Sequence, residues 1–293
     1  MLQPALRAAV LRRLGFSAPP AADGEGLTTL YAAWCARVPF DNVRKLTALH
    51  GGAAGDLPGM VAEDFFSAWV ELGCGATCWP SANALCELLE SVGFSCRRIT
   101  GSMRDCARVN HGSVVVRLAD GDWLVDSSML TGYPVPLRRG VYLSPDPVFN
   151  HEVEAQGEEF VVWNDFQPVG AFPCRLFPAT AAWAEFAQRY EGSREMSPFN
   201  SRVYARRSDA GRVSTLSGTT LYVRTAAGVS IREVAGAELP ALMQEVFGHA
   251  PALLDAWQRS GAAAVNLEAP RSDAPPPPPI QGVPPSRRMQ RGS

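Results

Sequence analysis

The sequence predicts an α+β protein with a helical bundle over residues 1–93, a β-barrel-like domain over 94–178, and a linking helix with a small α/β lid over 179–266. Three observations carry this reading. Apolar residues recur at helical spacing as far as Gly93; short β-branched runs separated by turn residues fill the stretch from Ser95 to Leu176; strand-like runs and one more helical pattern follow between Arg202 and Phe247. Residues 267–293 are proline-rich and almost without apolar side chains, which predicts a disordered or polyproline tail.

The elements follow in order. Leu6, Val10 and Leu14 mark an opening amphipathic helix, and Leu27, Leu30, Tyr31 and Trp34 a second. Leu85, Leu88, Leu89 and Val92 mark a third, with Pro80 tolerated in its first turn and Gly93 as its stop. The β-like runs are CRRIT, SVVVRL, DWLVDS, GVYL and EFVVWN. Between the second and third of these, Ala119-Asp120-Gly121 signals a hairpin. With Asp120 and Gly121 as a two-residue loop, Asp126 pairs with Val115. Ala179 to Tyr190 reads as the linking helix, Arg202–Arg207, Thr219–Thr225 and Val229–Val234 as strands, and Glu238–Phe247 as the last helix.

Composition narrows the function classes. A chain of 293 residues with 46% hydrophobic content can bury a substantial core. The net charge of -2 and the lack of a basic patch interleaved with aromatics argue against nucleic acid as a partner; Arg206-Arg207 reads as solvated surface or, at most, a phosphate contact. No stretch is apolar for long enough to span a membrane. The first twenty residues carry Arg7, Arg12 and Arg13 and no acid, but their apolar run is too interrupted for a signal peptide, so an opening helix is the simpler reading. Seven cysteines, odd in number and without CxxC spacing, speak against a disulfide framework and against a metal site, and fit a reducing cytoplasm. Cys74, four residues before Cys78, is a candidate for a regulatory disulfide with it, although a buried structural thiol is the commoner case.

The chemistry centres on Cys78, in GCGATCWPSANALCELLESVGF, at the start of the third helix. A helix N-terminus and an adjacent imidazolium both favour the reactive thiolate over the thiol. His111 in NHGSVVV and Asp126 in GDWLVDSS follow on β-like runs. Taken singly, each of the three has an ordinary structural reading; in this order they form a nucleophile, a base and an orienting carboxylate. The expected hairpin puts His111 on the same face as Asp126 but four residues further along, roughly 13 Å at strand rise. A bulge, a longer loop or strong twist has to close that gap.

The ordered residues resemble the arylamine N-acetyltransferases, whose Cys, His and Asp have this order and this short His-to-Asp spacing. AVLRRLGF and LTTLYAAWCARVPFDNV resemble the opening helices that end in that family's Pro-Phe-Glu-Asn segment, here Pro39, Phe40, Asp41 and Asn42. TGYPVPL resembles the stretch that closes the barrel edge, and the run from SPFNSRVYARR to Phe247-Gly248 resembles the third domain, so that the likeness covers about residues 5 to 255. Two motifs differ. Arg-Gly-Gly-x-Cys becomes Cys74-Gly75-Ala76-Thr77-Cys78, which removes the arginine that would pair with Asp41, and Asp-Val-Gly-Phe-Gly becomes Asp126-Ser127-Ser128-Met129-Leu130, in a stretch that helps shape the acceptor pocket.

The resemblance implies a cysteine-protease/transglutaminase-like catalytic core and acyl transfer from acetyl-coenzyme A, as cosubstrate, to an arylamine, hydrazine or related amine. It implies catalytic Cys78, His111 and Asp126, acceptor contacts at Phe40 and Met103, and a coenzyme contact at Gly132. No metal, nucleic acid or membrane is expected. Two alternatives use the same three residues: an amide synthase of a natural-product pathway, which takes its acyl group from an acyl carrier protein, and a transglutaminase-like cysteine hydrolase. His50, His151 and His249 receive no role, since none lies beside a nucleophile or in a metal-ligand pattern.

Overall fold

The computed structural model describes residues 2–52, 54–138, 142, 148, 151–166 and 170–268. Helices come first: α1 (Pro4–Arg13), α2 (Gly24–Arg37), α3 (Val43–His50), α4 (Ala62–Leu72) and α5 (Cys78–Ser91), with a two-residue strand β1 (Phe40–Asp41) between α2 and α3. Local chemistry sets their ends. Asp23 caps α2 by accepting from Gly26 N–H, and Gly73 ends α4 in the left-handed conformation at φ +70°. The α2 and α4 faces meet in an aromatic cluster: Trp34 stacks on Phe65 at 5.9 Å and meets Phe66 edge-on at 6.1 Å. Pairs of this kind add about 0.5–1.5 kcal/mol each beyond their buried area.

Seven strands then form an antiparallel sheet in the order β5-β4-β3-β2-β8-β7-β6. They are β2 (Ser95–Met103), β3 (His111–Leu118), β4 (Gly121–Val125), β5 (Val135–Pro136), β6 (His151–Gln156), β7 (Glu159–Phe166) and β8 (Gly170–Phe177). Among the described residues β5 and β6 are its edges, so the barrel-like domain is a half-barrel. Apart from Tyr142, the expected GVYL strand lies outside the described residues, as do all but the first two residues of the 267–293 tail. β3 explains why its sequence reads as an unbroken apolar run. Val114 and Val116 face the helices, whereas Val115 packs with Ile99, Leu124 and Val162 on the other side of the sheet. At the head of β3, Gly112 lies so close to α5 that an added Cβ would sit 2.6 Å from Trp79 and 2.9 Å from Phe186.

The hairpin register differs from the expected one. Leu118 pairs with Gly121 and Val115 with Leu124, so the two-residue loop is Ala119-Asp120. Gly121, at φ +134°, supplies the unusual backbone angle just after the turn rather than within it. The shift carries Asp126 two residues along, opposite Ser113.

After α6 (Trp183–Gly192), the third part also departs from the sequence reading. It has four strands in place of three: β9 (Tyr204–Asp209), β10 (Arg212–Ser217), β11 (Thr220–Thr225) and β12 (Gly228–Glu233). The missed strand, RVSTLS, is polar by composition yet buried along most of its length. The expected last helix is a short α7 (Leu239–Leu242) continued by a wider π-turn at Met243–Phe247, and α8 (Pro251–Arg259) and α9 (Ala262–Glu268) follow. β1 joins this sheet by pairing with β9, in the order β1-β9-β10-β11-β12. The Pro-Phe-Asp-Asn segment therefore belongs by chain position to the helices and by pairing to the C-terminal sheet.

Gly112→Ala should overpack the β3–α5 contact and destabilise the protein by about 1–3 kcal/mol, read as a lowered urea midpoint with an unchanged slope.

Candidate active site

Cys78 is the first residue of α5 and is 8% exposed. Its sulfur lies 3.9 Å from the carbonyl oxygen of Asn110, the residue before His111. The two-residue register shift leaves His111 about 7 Å along the strand from the position opposite Asp126, a gap that two side chains on one face can span. They do so in full burial, with His111 Nε2 2.6 Å from Asp126 Oδ2. A carboxylate only accepts, so Nε2–H is the donor, and Nδ1 is the ring nitrogen left for the thiol. Burial by itself pulls the His111 pKa down, but the charge and hydrogen bond of Asp126, helped by Cys78, lift it from 6.5 to about 10. Burial pushes the Asp126 carboxyl up, and the His111 charge and hydrogen bond outweigh it and hold the pKa below 3.8. The structure thus brings together the three residues picked from the sequence.

Asp126 is fixed from several sides. Its Oδ1 accepts from Ser128 N–H and Met129 N–H, both at 2.8 Å, a local turn that aspartate favours. The buried Tyr31 hydroxyl donates to Asp126 O at 2.8 Å and accepts from the N–H groups of Asp126 and Thr131. From β9, buried Arg206 donates to Met129 O at 3.2 Å. Helical spacing marks Tyr31 as core, and nothing local in the sequence shows that its hydroxyl holds a loop 95 residues away.

The loop before Cys78 is anchored just as firmly. Phe40 bridges Ala76 in parallel fashion, and Asp41 N–H donates to Ala76 O at 3.3 Å. Gly75 N–H donates to Asp41 Oδ2 at 2.6 Å, and an added Cβ at Gly75 would fall 1.7 Å from Pro39 O. Asp41 Oδ1 accepts from Val43 N–H at 3.0 Å. The missing arginine partner is replaced by His249, whose Nε2 lies 3.2 Å from Asp41 Oδ2 with both side chains fully buried. His249 thus has a partner that the sequence reading did not give it, 208 positions away. Cys74, the candidate disulfide partner, is a buried free thiol directed at Ala68 O at 3.7 Å, its pKa pushed up chiefly by burial. Lys45, also not anticipated, is buried and donates to Ser193 Oγ at 2.8 Å; burial lowers its pKa to about 8 against an opposing pull from Cys78.

The remaining predicted residues fall as follows. Phe40 is 4% exposed and packs edge-on against Phe199 and Tyr204. Met103 ends β2, half-buried against the half-barrel core, and its N–H donates to Asn110 Oδ1 at 2.7 Å. Gly132 is buried at φ +76° with its backbone against the Cys35 thiol. His50 is bonded to Asn200 O and His151 stacks on Tyr142. Among the described residues, one group has a geometry that could hold a metal ion: Cys86, Glu90 and Cys96, with ligand atoms within 4.8 Å of one another. It begins eight residues beyond Cys78, about 12 Å along α5.

The helical unit, half-barrel and C-terminal sheet form the architecture of solved acetyl-transfer enzymes. The Mycobacterium smegmatis arylamine N-acetyltransferase is 18% identical and superimposes with a TM-score of 0.77 over 89% of this chain and 98% of its own. The Mycobacterium marinum arylamine N-acetyltransferase in complex with CoA is 15% identical, with a TM-score of 0.75 over 89% and 97%. A Bacillus cereus arylamine N-acetyltransferase, described as having a unique Cys-His-Glu catalytic triad, is 15% identical, with a TM-score of 0.69 over 84% and 99%. No curated protein matches the chain by sequence. The N-acetyltransferase family profile matches residues 23–250, and the chain belongs to the arylamine N-acetyltransferase family. Among the described residues, no helix is long and apolar enough to cross a membrane.

Two expectations follow from the buried pairs. In the native protein, the His111 ring should stay charged from pH 6 to 9 and titrate near 10. In Asp126→Asn, where burial acts without the carboxylate charge, the pKa should fall to 6.5 or below. Ring-nitrogen NMR titration reads this directly, and a native midpoint near 6.5 would contradict it. Because the folded pKa is raised, the His111 contribution to stability is complete below pH 6.5 and lost as pH rises through about 10. The Asp126 contribution runs the other way: it is present above 3.8 and lost as pH falls through the depressed folded value.

His249→Ala should cost about 1–3 kcal/mol by stripping a donor from buried Asp41, and should also slow Cys78 alkylation by iodoacetamide. His249→Asn should recover part of both. Native alkylation kinetics in the alanine variant would show that the pair does not position the loop.

Proposed function

We propose that the protein moves an acetyl group from acetyl-coenzyme A to an arylamine, hydrazine or related amine through an acyl-cysteine at Cys78. The observation that carries this reading is the buried His111–Asp126 ion pair beside a thiol at a helix N-terminus. A ring kept protonated next to sulfur stabilises the thiolate, and Asp126 supports that charge and fixes the ring orientation. The Cys78 thiolate adds to the thioester carbonyl. His111 gives its proton to the departing coenzyme A sulfur, leaving an acetyl thioester on Cys78. His111 then takes a proton from the amine as it attacks, and Cys78 leaves as the thiolate.

The family match supports the reaction class, and the M. marinum relative solved with CoA supports the donor. On this reading Phe40 and Met103 contact the acceptor and Gly132 contacts the coenzyme. The buried Met129 and Leu130, which replace the family's glycine-containing stretch, set an acceptor preference of their own.

Intact mass spectrometry after mixing with acetyl-coenzyme A should show one added acetyl group, lost in Cys78→Ala and discharged by an aromatic amine. Peptide cleavage by the native protein with no acyl adduct would instead mark a hydrolase.

A further inference from the structure

Away from Cys78, the side chains of Arg13, Arg37 and Arg207 meet at a cavity of about 160 Å³ that Trp69 and Phe247 also line. The three come from the last turn of α1, the last turn of α2, and β9. One backbone carbonyl tethers each guanidinium: Arg13 Nη1 donates to Val70 O at 2.8 Å, Arg37 Nη1 to Leu14 O at 2.8 Å, and Arg207 Nη1 to Val246 O at 3.2 Å. The Arg13 guanidinium also lies over the Trp69 ring, 5.2 Å from its centroid. Each guanidinium has five N–H donors, so most of them remain available.

The charge balance points the same way. Among the described residues, none of these arginines has a carboxylate partner, whereas Arg44, Arg97, Arg175, Arg189 and Arg194 all do. Leu14 and Val70 lie at helix C-termini, and each such end offsets roughly half a charge at most. Three full positive charges therefore exceed what the carbonyls offset. The excess is felt at Arg207, whose pKa is lowered first by burial and then by Arg37 and Arg212 against the opposing pull of Asp209.

We propose that this cavity binds a tetrahedral oxyanion, a phosphate or sulfate group, gripped by the three guanidinium forks. Planar forks lining one cavity match such an anion in shape and charge, as a single lysine would not. The volume is several times the roughly 10–15 Å³ that a single water needs, enough for one such group with part of its hydration. The place matters as well. Gly73 and Gly248 complete the wall, and a Cβ on Gly73 would lie 1.9 Å from Gly248 O, so the cavity sits where the start of the Cys78 loop meets the segment carrying His249. An anion held there ties the ends of α1 and α2 to β9 and braces that loop from behind. The oxyanion can be free or part of a larger ester such as coenzyme A, and the experiment separates the two.

Thermal unfolding of the full chain is followed in sodium sulfate or phosphate against sodium chloride at equal ionic strength. The melting temperature should rise with sulfate or phosphate beyond the chloride control, and the specific increment should vanish in Arg207→Gln and in Arg13→Gln. Calorimetric titration with inorganic phosphate should show at least tenfold weaker binding in both variants, with Arg207→Lys between them and the native protein. Coenzyme A titrated into Cys78→Ala and into Cys78→Ala with Arg207→Gln identifies the source. Unchanged coenzyme affinity assigns the site to the free anion; a loss matched by competition from phosphate assigns it to the ester. Equal responses to sulfate and chloride, or an undiminished response in both glutamine variants, would overturn the proposal.

Discussion

Asp41 is where the molecule is tied together. Its buried carboxylate accepts from Val43 at the start of α3, from Gly75 in the loop leading to Cys78, and from His249 near the end of the third part. A carboxylate taken out of water is tolerated only when its lone pairs are met, and here three distant segments meet them. The same residue lies on β1, which pairs with β9 and bridges to Ala76. The helical unit, the C-terminal sheet and the loop leading to Cys78 cannot shift independently without leaving that charge unsatisfied.

The half-barrel supplies the second fixed point. β3 carries His111 at its head, and the β3–β4 register decides whether Asp126 reaches the ring. A slip of one residue would turn Asp126 to the opposite face. Once the register has delivered it, the Ser128 and Met129 amides hold the carboxylate, while Tyr31 holds the Asp126 backbone and Arg206 the Met129 carbonyl. Ring and carboxylate lie against the same dry surroundings, and in low dielectric their mutual attraction outweighs the tendency of each to neutralise.

Sequence pattern revealed the parts governed by local periodicity and by motif order. The helices about Leu27–Trp34 and Leu85–Leu89, the β3–β4 hairpin and the order Cys78, His111, Asp126 were all legible. The hairpin register was not, because Asp-Gly suits both positions of a two-residue turn and only the structure shows that Gly121 follows the turn. β10 escaped notice because RVSTLS buries polar residues between two other strands, which no alternation reveals. The Asp41–His249 pair and the Tyr31 hydroxyl escaped for a different reason: their partners are far away in the chain, and neither position departs from an ordinary local pattern.

That long-range pairing has a consequence for how the chain matures. During synthesis the thiol at position 78 leaves the ribosome well before His249, which lies 208 positions beyond Asp41 and completes its cluster. Contacts this remote form late, after the entropy of closing a long loop has been overcome. The nascent chain therefore carries its sulfur on an incompletely anchored segment, and the Asp41 cluster is completed only after His249 has emerged.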